Sequence, residues 1–323
     1  MTRLAVVCGT THTAGIEGIS AAGASPDLMA RTPAADAEIL VYGRPAGSIT
    51  PVSPTGCPTP AIVTRAARER LGFDPLIVDA GMAAATAAPT VSVGDRPGGD
   101  VREGAAVPNA RRVFERAREF GSRLPDEELW IGETIPGGTT TAMAVLRALG
   151  EDWGVSSSLP DNPVALKRRV VREGLAASGL DGGTSDPLAA IEAVGDPVLA
   201  GVVGLVAGTV GTDARVTLAG GTQLLAAAAC VRGLGIDAPL ALATTSFVAH
   251  DTPAIRERAR ALECSLTVTD PRFSETHVAM ERYLAGEAKE GVGMGGALAL
   301  FAREGGEWER LHDRIEAVYD RCA

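Results

Sequence analysis

Lysine is almost missing from this chain, and aromatic residues are few. Only Lys167 and Lys289 are lysines among the 323 residues, and aromatic side chains make up 4% of the chain. Acidic residues outnumber Lys and Arg by 40 to 30, which gives a formal net charge of -10. Nucleic-acid binding uses a basic surface and, for single strands, aromatic rings on which bases stack. The composition therefore argues against a nucleic-acid partner. A GC-rich genome or adaptation to salt would both explain the rarity of lysine, which makes the position of each lysine worth attention.

Cysteine and histidine are also too sparse and scattered to form a disulfide framework or a metal site. The five cysteines include no C-x-x-C pair, and the four histidines show no spacing typical of metal ligands. We therefore expect no metal, no bound cofactor and a reducing, cytoplasmic location. The chain starts in the strand-like RLAVVC without a signal peptide, and the uncharged run Pro197–Thr212 is short for a membrane span. No membrane contact is expected.

Short apolar runs alternate with helical patterns along the chain. The runs of strand length are Arg3–Cys8, Glu38–Tyr42, Leu76–Asp79, Leu129–Ile131, Arg215–Leu218, Pro239–Ala243 and Ser265–Thr269. Helical stretches between them include Ala61–Leu71, Ala110–Phe120, Thr140–Leu149, Val164–Ala177 and Gln223–Val231. Continuous apolar strands that alternate with helices are typical of a parallel sheet covered on both faces. The sequence predicts an α/β fold, with a doubly wound, mostly parallel, Rossmann-like sheet and helices on both faces.

Glycines and hydroxyl residues follow four of the predicted strands. The segments are LWIGETIPGGTTTAMAVL, VTLAGGTQLLAAAA, LALATTSFVAHD and LIVDAGMAAAT. In open α/β sheets, ligands bind in the crevice beyond the carboxyl ends of the strands. Any one turn is compatible with ordinary strand-to-helix chemistry, but the four together favour a wide polar pocket.

Two stretches, Gly43–Pro60 and Thr86–Asn109, are long for connections without secondary structure. Such loops often carry functional residues. A lid or wall of the site and a rigid, proline-rich surface loop are both compatible with these sequences.

The stretch GETIPGGTTTA, Gly132 to Ala142, lies between a predicted strand and a predicted helix. Its glycines allow backbone N–H groups to approach an anion, and the helix N-terminus favours negative charge. No G-K-[ST] follows, so it is not a P-loop. Glu133 would repel a phosphate and is better suited to ribose hydroxyls. The alternative is that Thr139 or Thr140 simply caps the helix. Lys167 opens KRRVVRE, which is either a solvated basic face or the source of a point charge for phosphate.

The stretch AKEGVGMGGALAL, Ala288 to Leu300, fits G-x-G-x-x-G at Gly291–Gly296. A dinucleotide fingerprint must follow a strand and open the first helix of a βαβ unit. Here the preceding ETHVAMERYLAGEAKE has the pattern of an amphipathic helix, so a dinucleotide site is disfavoured. Glu290, at the edge of the glycine turn, is instead suited to act as a general base while the glycines leave room for a flat ring.

The pair GETIPGGTT and EGVGMGGALAL resembles the signature pair of nicotinate-nucleotide–dimethylbenzimidazole phosphoribosyltransferases, G-E-M-G-I-G-N-T-T and G-E-G-T-G-A-A-L-A. Similar segments follow in the same order along nearly the whole chain, namely HTAGIEGISAAG, Val78–Gly81, Asp161–Lys167, DPLAAIEAVG and LAGGTQLLAAAA. PTGCPTP and K-E-G-V-G are typical of a divergent branch of this family.

The resemblance implies a reaction. The phosphoribosyl group of nicotinate mononucleotide moves to a ring nitrogen of a benzimidazole-type base, giving nicotinate and the α-ribazole phosphate of the cobamide lower ligand. Nicotinate leaves from a cationic pyridinium and needs no metal, which agrees with the lack of an Asp-Asp or Asp-Glu pair ending a hydrophobic strand. The resemblance also implies a homodimer. We expect one unit, residues 1–323, with an α/β core of about 36–270 and a small helical part from both chain ends.

The resemblance assigns roles residue by residue. Glu290 matches the catalytic general base, and Glu133 matches the family's second important glutamate. The residues that match its nucleotide and phosphate site are Thr134, Ile135, Gly137, Gly138, Thr139, Thr140, Lys167 and Gly195. The candidates for the pocket of the base are Gly220, Gly221, Gly291 and Gly293.

The chain departs from the family pattern at several points. The asparagine of G-N-T-T is Gly138 here, Pro136 lacks a backbone N–H donor, and Gly220-Gly221-Thr222 replaces D-G-F. Glu287 stands near the position of the family's arginine before the catalytic glutamate. The wall around the base is therefore altered, which leaves another benzimidazole, adenine or a phenolic ring as possible acceptors. A non-catalytic protein that binds a nucleotide or base in the same pocket is the alternative.

Overall fold

A parallel sheet forms the centre of the molecule. The computed structural model describes residues 2–47 and 49–323. Within them the sheet has seven strands in the order β3-β2-β1-β4-β5-β6-β7, and all neighbouring strands run parallel. The strands are β1 (Thr2–Gly9), β2 (Asp74–Gly81), β3 (Thr90–Ser92), β4 (Glu128–Thr134), β5 (Arg215–Ala219), β6 (Leu240–Thr245) and β7 (Cys264–Thr269).

Helices cover both faces of the sheet. They are α1 (Pro26–Tyr42), α2 (Ala61–Leu71), α3 (Ala110–Gly121), α4 (Gly138–Ala148), α5 (Val164–Ser178), α6 (Pro187–Val194), α7 (Pro197–Gly208), α8 (Thr222–Gly233), α9 (Ser246–Asp251), α10 (Ile255–Ala261), α11 (Val278–Leu284), α12 (Met294–Arg303) and α13 (Trp308–Cys322). Side chains alternate between the faces of a strand, so in β1 Ala5 and Val7 enter one core while Val6 and Cys8 enter the other. The first core contains residues of α3 to α8, and the second contains residues of α1, α2 and α11 to α13. The predicted doubly wound α/β fold is confirmed, and the sheet is entirely parallel.

The prediction of a strand over Glu38–Tyr42 is wrong. These residues form the last turns of α1, whose N-cap Ser25 accepts a hydrogen bond from the N–H of Leu28 and whose C-cap is Gly43 in the left-handed conformation. The apolar side chains of Ile39 and Leu40 are buried against the sheet from a helix. An apolar run of this length is too short for its periodicity to distinguish a strand from a helix. The caps Ser25 and Gly43 indicate that the run belongs to a longer helix.

The predicted loop Thr86–Asn109 contains an undetected edge strand, β3. It spans three residues and pairs Thr90 with Ile77 of β2. Two of its three side chains are exposed, so it lacks the apolar run from which the other strands were predicted.

The topology positions a crevice between β1 and β4. From this pair the chain builds the sheet outward in two directions, to β3 on one side and to β7 on the other. The connections at such a switch point diverge, and ligands bind there beyond the carboxyl ends of the strands. No helix among residues 2–47 and 49–323 is both long and apolar enough to cross a membrane.

The division into a core of about 36–270 and a terminal helical part stays a prediction. β1 precedes residue 36 and lies inside the sheet, and α12 follows residue 270 and packs against β5 and β6. Both chain ends therefore contribute directly to the layers around the sheet.

Candidate active site

A cavity opens beyond the carboxyl ends of the central strands. It encloses about 940 Å³ of non-protein space, part of it open to solvent. Its walls come mainly from five segments: Pro51–Pro60, Glu133–Thr139, Ser156–Ser158, Gly221–Gln223 and Ala288–Val292. Ser20–Ala22, Thr32, Asp36 and Val248 also line it. Two of the four predicted glycine-rich strand exits, those after β4 and β5, therefore meet at one pocket.

Glu290 lines this cavity at the start of α12. Its Oε1 accepts hydrogen bonds from the N–H of Gly295 at 2.8 Å and from its neighbour Gly291 at 3.2 Å. Its Oε2 is buried and has no hydrogen-bond partner among the described residues. Burial raises the pKa of Glu290 to about 7, against the lowering effect of the N–H donors. Near neutral pH this carboxylate can accept a proton from a ligand.

The glycines after Glu290 serve close packing. A Cβ on Gly295 would lie 2.5 Å from Glu290 Oε2 and 2.6 Å from the Cα of Thr244, and one on Gly296 would lie 2.3 Å from the Cβ of Ala219. Gly293 has φ 72°, which favours glycine. The segment follows α11 and not a strand. Its fit to G-x-G-x-x-G therefore has the wrong structural context for a dinucleotide site.

Glu133 is held next to Glu290 by direct contact between β4 and the 291–293 turn. The N–H of Val292 donates to the carbonyl oxygen of Glu133 at 2.7 Å, and a Cβ on Gly132 would lie 2.7 Å from the Cα of Gly293. Burial, followed by the charges of Asp196, Glu290 and Asp36, raises the pKa of Glu133 to about 8. At pH 7 Glu133 is therefore mainly protonated. A neutral carboxyl can donate as well as accept, and it does not repel a phosphate.

The predicted phosphate turn lines the same cavity through Glu133–Thr139. Helix α4 begins at Gly138, and its N-cap is Gly137 with φ 80° and no side-chain capping bond. The alternative in which Thr139 or Thr140 caps α4 is therefore wrong. In this first turn the N–H groups of Gly138 and Thr140 donate to the carbonyl oxygens of Ile135 and Gly137, at 3.1 and 2.9 Å, while the N–H of Thr139 has no partner among the described residues. A helix N-terminus that opens on a cavity is suited to an anion, because the helix dipole favours negative charge there.

Lys167 lies behind this turn. Its side chain is fully buried, and Nζ donates to Thr139 Oγ1 at 2.9 Å and to the carbonyl oxygen of Ser156 at 2.7 Å. Burial lowers the pKa of Lys167 to about 7, although the nearby Asp251 raises it. The solvated-face interpretation of Lys167 is therefore wrong. The structure places the ammonium in contact with Thr139, which itself lines the cavity.

Some predicted site residues are not part of the cavity lining. Thr140, Gly220 and Gly293 adjoin lining residues in the chain, whereas Gly195, between α6 and α7, does not, and all four are packed against protein atoms. A Cβ on Gly195 would lie 2.7 Å from the Cα of Ile191, and one on Gly220 would lie 2.7 Å from Leu224 Cδ1. Gly221 does line the cavity, and a Cβ added there would lie 3.6 Å from Glu290 Cβ.

Asp36 was missed by sequence reasoning. It is 1% exposed on α1 and lines the cavity, and its two oxygens accept from Thr59 Oγ1 and Thr134 Oγ1, both at 2.6 Å. Burial raises the pKa of Asp36 to about 6. The two acids Asp36 and Glu38 in the mainly apolar TPAADAEIL were the available signal. Asp36 was overlooked because part of this segment was taken for a strand.

Gln223 and Lys289 were also missed. Gln223 Nε2 donates to Asp196 Oδ2 at 2.9 Å, while Gln223 Oε1 is buried without a partner among the described residues. Lys289 lines the cavity beside Glu290, and the rarity of lysine was the signal that pointed to it.

The loop Gly43–Pro60 contributes a wall of the cavity through residues 51–60. Ser53 Oγ donates to Glu287 Oε2 at 2.7 Å, and the hydroxyl of Tyr283 donates to the carbonyl oxygen of Pro58 at 2.9 Å. This wall is therefore attached to the segment that leads to Glu290. The other long loop, Thr86–Asn109, does not line the cavity among the described residues.

Two solved structures share this fold. A nicotinate-nucleotide–dimethylbenzimidazole phosphoribosyltransferase from Thermus thermophilus superposes with a TM-score of 0.63 at 19% identity, covering 97% of this chain and 83% of that one. A structure of CobT from Thermus thermophilus gives 0.65 at 19% identity and covers 99% and 84%. At this identity the similarity establishes the fold.

Sequence relatives are closer. No family model matches the chain. A UPF0284 protein of Halobacterium salinarum is 57% identical over 99% of this chain and 98% of its own length. UPF0284 proteins of Pyrococcus furiosus and Methanothermobacter thermautotrophicus are 43% and 42% identical, over 97% and 96% of this chain and 97% and 90% of their own lengths. With identity this high over nearly the full length, the chain belongs to the UPF0284 family.

Proposed function

We propose that this protein transfers the phosphoribosyl group of nicotinate mononucleotide to a benzimidazole-type base. The observation that carries the proposal is Glu290, a carboxylate with one oxygen anchored and the other unpartnered among the described residues, in a cavity that also contains the uncapped N-terminus of α4. A general base and an anion site in one pocket are what this transfer requires. The α-ribazole phosphate formed would serve the assembly of a cobamide lower ligand.

The donor is proposed to bind with its phosphate at the N-terminus of α4. Gly137, Gly138 and Thr139 line this part of the cavity, and Lys167 Nζ donates to the hydroxyl of Thr139. Glu133, protonated at neutral pH, is suited to hydrogen-bond the ribose hydroxyls. The donor then lies between the β4 exit and Glu290.

The chemical step needs one proton transfer. The azole nitrogen attacks C1′ of the ribose, and the bond from C1′ to the pyridinium nitrogen breaks with its electron pair going to nicotinate. Glu290 takes the proton of the azole N–H. Because nicotinate leaves as a neutral pyridine ring that keeps its carboxylate, no metal is needed to stabilise the leaving nitrogen. Proximity within the cavity supplies much of the remaining rate enhancement.

The first test is nicotinate release from nicotinate mononucleotide in the presence of dimethylbenzimidazole. Glu290→Gln should lower kcat by about 10²–10⁴-fold, the usual range for loss of a general base. Glu304→Gln, at an exposed position just after α12, is the matched control and should retain the wild-type rate. Full activity in Glu290→Gln would remove the assigned role of Glu290.

The same assay separates the alternative of a non-catalytic binder. A binder would be stabilised by nicotinate mononucleotide or by the base, with a higher Tm, but would release no nicotinate. Pro136 favours testing this alternative, because it removes one N–H donor from the phosphate turn.

A further inference from the structure

The two lysines of the chain meet at one irregular segment. Residues 151–163 connect α4 to α5 without helix or strand, and within them Ser156, Ser157 and Ser158 line the cavity. We call residues 156–159 the serine wall. The backbone N–H and C=O groups of a buried segment without regular structure need hydrogen-bond partners other than those of a helix or a sheet.

Each carbonyl of the serine wall has such a partner. Lys167 Nζ donates to the carbonyl oxygen of Ser156 at 2.7 Å, and Lys289 Nζ donates to the carbonyl oxygens of Ser157 and Leu159 at 3.0 and 2.7 Å. The carbonyl oxygen of Ser158 accepts from the N–H of Ala288 at 3.0 Å. Four consecutive carbonyls are thus held by two ammonium groups and by the residue before Lys289.

A carboxylate completes the clamp around Lys289. Asp251 Oδ1 lies 3.7 Å from Lys289 Nζ, and Asp251 Oδ2 accepts from Ser156 Oγ at 2.6 Å. The carbonyl oxygen of Lys289 also accepts from Thr245 Oγ1 at 2.6 Å. Lys289 therefore joins the serine wall, the end of β6 and the residue next to Glu290.

The serine wall presents hydroxyl hydrogens. Ser157 Oγ accepts from the N–H of Leu159 at 3.2 Å, and Ser158 Oγ accepts from the N–H of Ala21 at 3.0 Å. Neither hydroxyl hydrogen makes a bond to another described residue. Two lining hydroxyls that each accept one hydrogen bond and have an unused hydrogen are suited to donate to an anionic oxygen of a ligand.

We propose that Lys289 is a positioning residue that clamps the serine wall, so that Ser157 and Ser158 donate hydrogen bonds to an anionic group of the donor substrate. The identity of that substrate, nicotinate mononucleotide, rests on the proposed function, whereas the clamp itself does not. Lys289 makes its contacts to protein atoms, and the serines make the contacts to the ligand.

Hydrogen exchange tests the clamp without any assay of activity. In Lys289→Met, amides of residues 155–159 should exchange about tenfold faster than in the wild type, because the segment loses its charged partner. Arg3→Met is the matched control. It removes a half-buried cation bonded to Asp126 at 2.6 Å at the opposite end of β1, so exchange at 155–159 should not change. Unchanged exchange in Lys289→Met would overturn the clamp.

Kinetics test the contact to the ligand. Loss of a hydrogen bond to a charged group should raise the KM for nicotinate mononucleotide about tenfold in Lys289→Met, with little change in kcat. The double variant S157A with S158A should raise the same KM while leaving the clamp intact, and Lys289→Arg should recover part of the loss. A wild-type KM in both Lys289→Met and the serine variant would overturn the proposal.

The two proposals fail in different ways. If the wild-type protein releases no nicotinate, the proposed function fails, and the affinity for nicotinate mononucleotide measured by calorimetry replaces KM. A tenfold weaker affinity in Lys289→Met would then still support the serine wall as a binding element, and an unchanged affinity would contradict it.

Discussion

Glu290 and Glu133 are two glutamates in one cavity whose surroundings give them different protonation states. Burial raises the pKa of Glu290 to about 7 and that of Glu133 to about 8, with further charges acting on Glu133. Near neutral pH Glu290 is about half ionised and can act as a base, whereas Glu133 is mainly a neutral donor. Environments that separate the pKa values of paired acids are a common way to divide acid and base roles.

The assignment of Glu290 as the base predicts how activity depends on pH. If Glu290 is the base, kcat/KM for nicotinate release should fall about tenfold per pH unit below pH 7 and level off above it, since only the ionised carboxylate accepts the proton. The residual activity of Glu290→Gln should lack this acid limb. An unchanged limb in Glu290→Gln would assign the titration to another group, such as Lys167 or the phosphate of the substrate.

At the scale of single elements, α12 depends on glycine for its approach to the sheet. Gly295 lies where a Cβ would meet both Glu290 Oε2 and the backbone of Thr244, at 2.5 and 2.6 Å. The same residue donates its N–H to Glu290. Gly295 therefore positions the Glu290 carboxylate and also allows α12 to pack closely against β6.

Gly295→Ala should accordingly affect stability and activity at once. The added methyl overpacks the contact, with an expected loss of about 1–3 kcal/mol in the free energy of unfolding, and it displaces Glu290. Urea unfolding and the nicotinate-release assay measure the two effects. Gly182→Ala, where a Cβ meets no atom within 4 Å, is the control and should behave like the wild type. Wild-type activity in Gly295→Ala would contradict the proposed placement of Glu290.

Elements also differ in how well local sequence determined them. The helix α3 and the strand β4 were predicted because their patterns are long or uninterrupted. The end of α1 was assigned to a strand because EILVY is apolar and short, and β3 was missed because its two outer side chains are exposed. In both cases the deciding interaction came from caps or from a neighbouring strand rather than from the residues themselves.

For the molecule as a whole, buried acids at the cavity link stability to pH. Burial raises the pKa of Asp36 to about 6, that of Glu290 to about 7 and that of Glu133 to about 8. The folded state therefore holds protons that the unfolded state has already released. The contribution of these groups to stability is complete below their unfolded pKa values and is lost as the pH rises through about 6 to 8.

Glu133→Gln tests this linkage, because glutamine mimics the protonated carboxyl at every pH. Its Tm should match the wild type at pH 5 and exceed it at pH 8.5 by about 2 °C or more, which corresponds to roughly 1 kcal/mol for a protein of this size. The exposed Glu275 supplies the control Glu275→Gln, which should follow the wild type at both pH values. If the Tm of Glu133→Gln equals that of the wild type at pH 8.5, ionisation of Glu133 does not destabilise the folded state, and the linkage is contradicted.

The sequence by itself determined the fold class and the glycine-rich strand exits, and it predicted roles for Glu290, Glu133 and Lys167. These follow from the local periodicity of apolar residues, from residue types and from resemblance to known motifs, all of which can be read from short stretches of sequence. Only the tertiary structure decided that Asp36 and Lys289 meet the same cavity, that Lys167 stands behind Thr139, and that Gly195 serves packing. Such relations join residues as far apart as Ser157 and Lys289, and they depend on how helices pack onto the sheet, which no local pattern specifies.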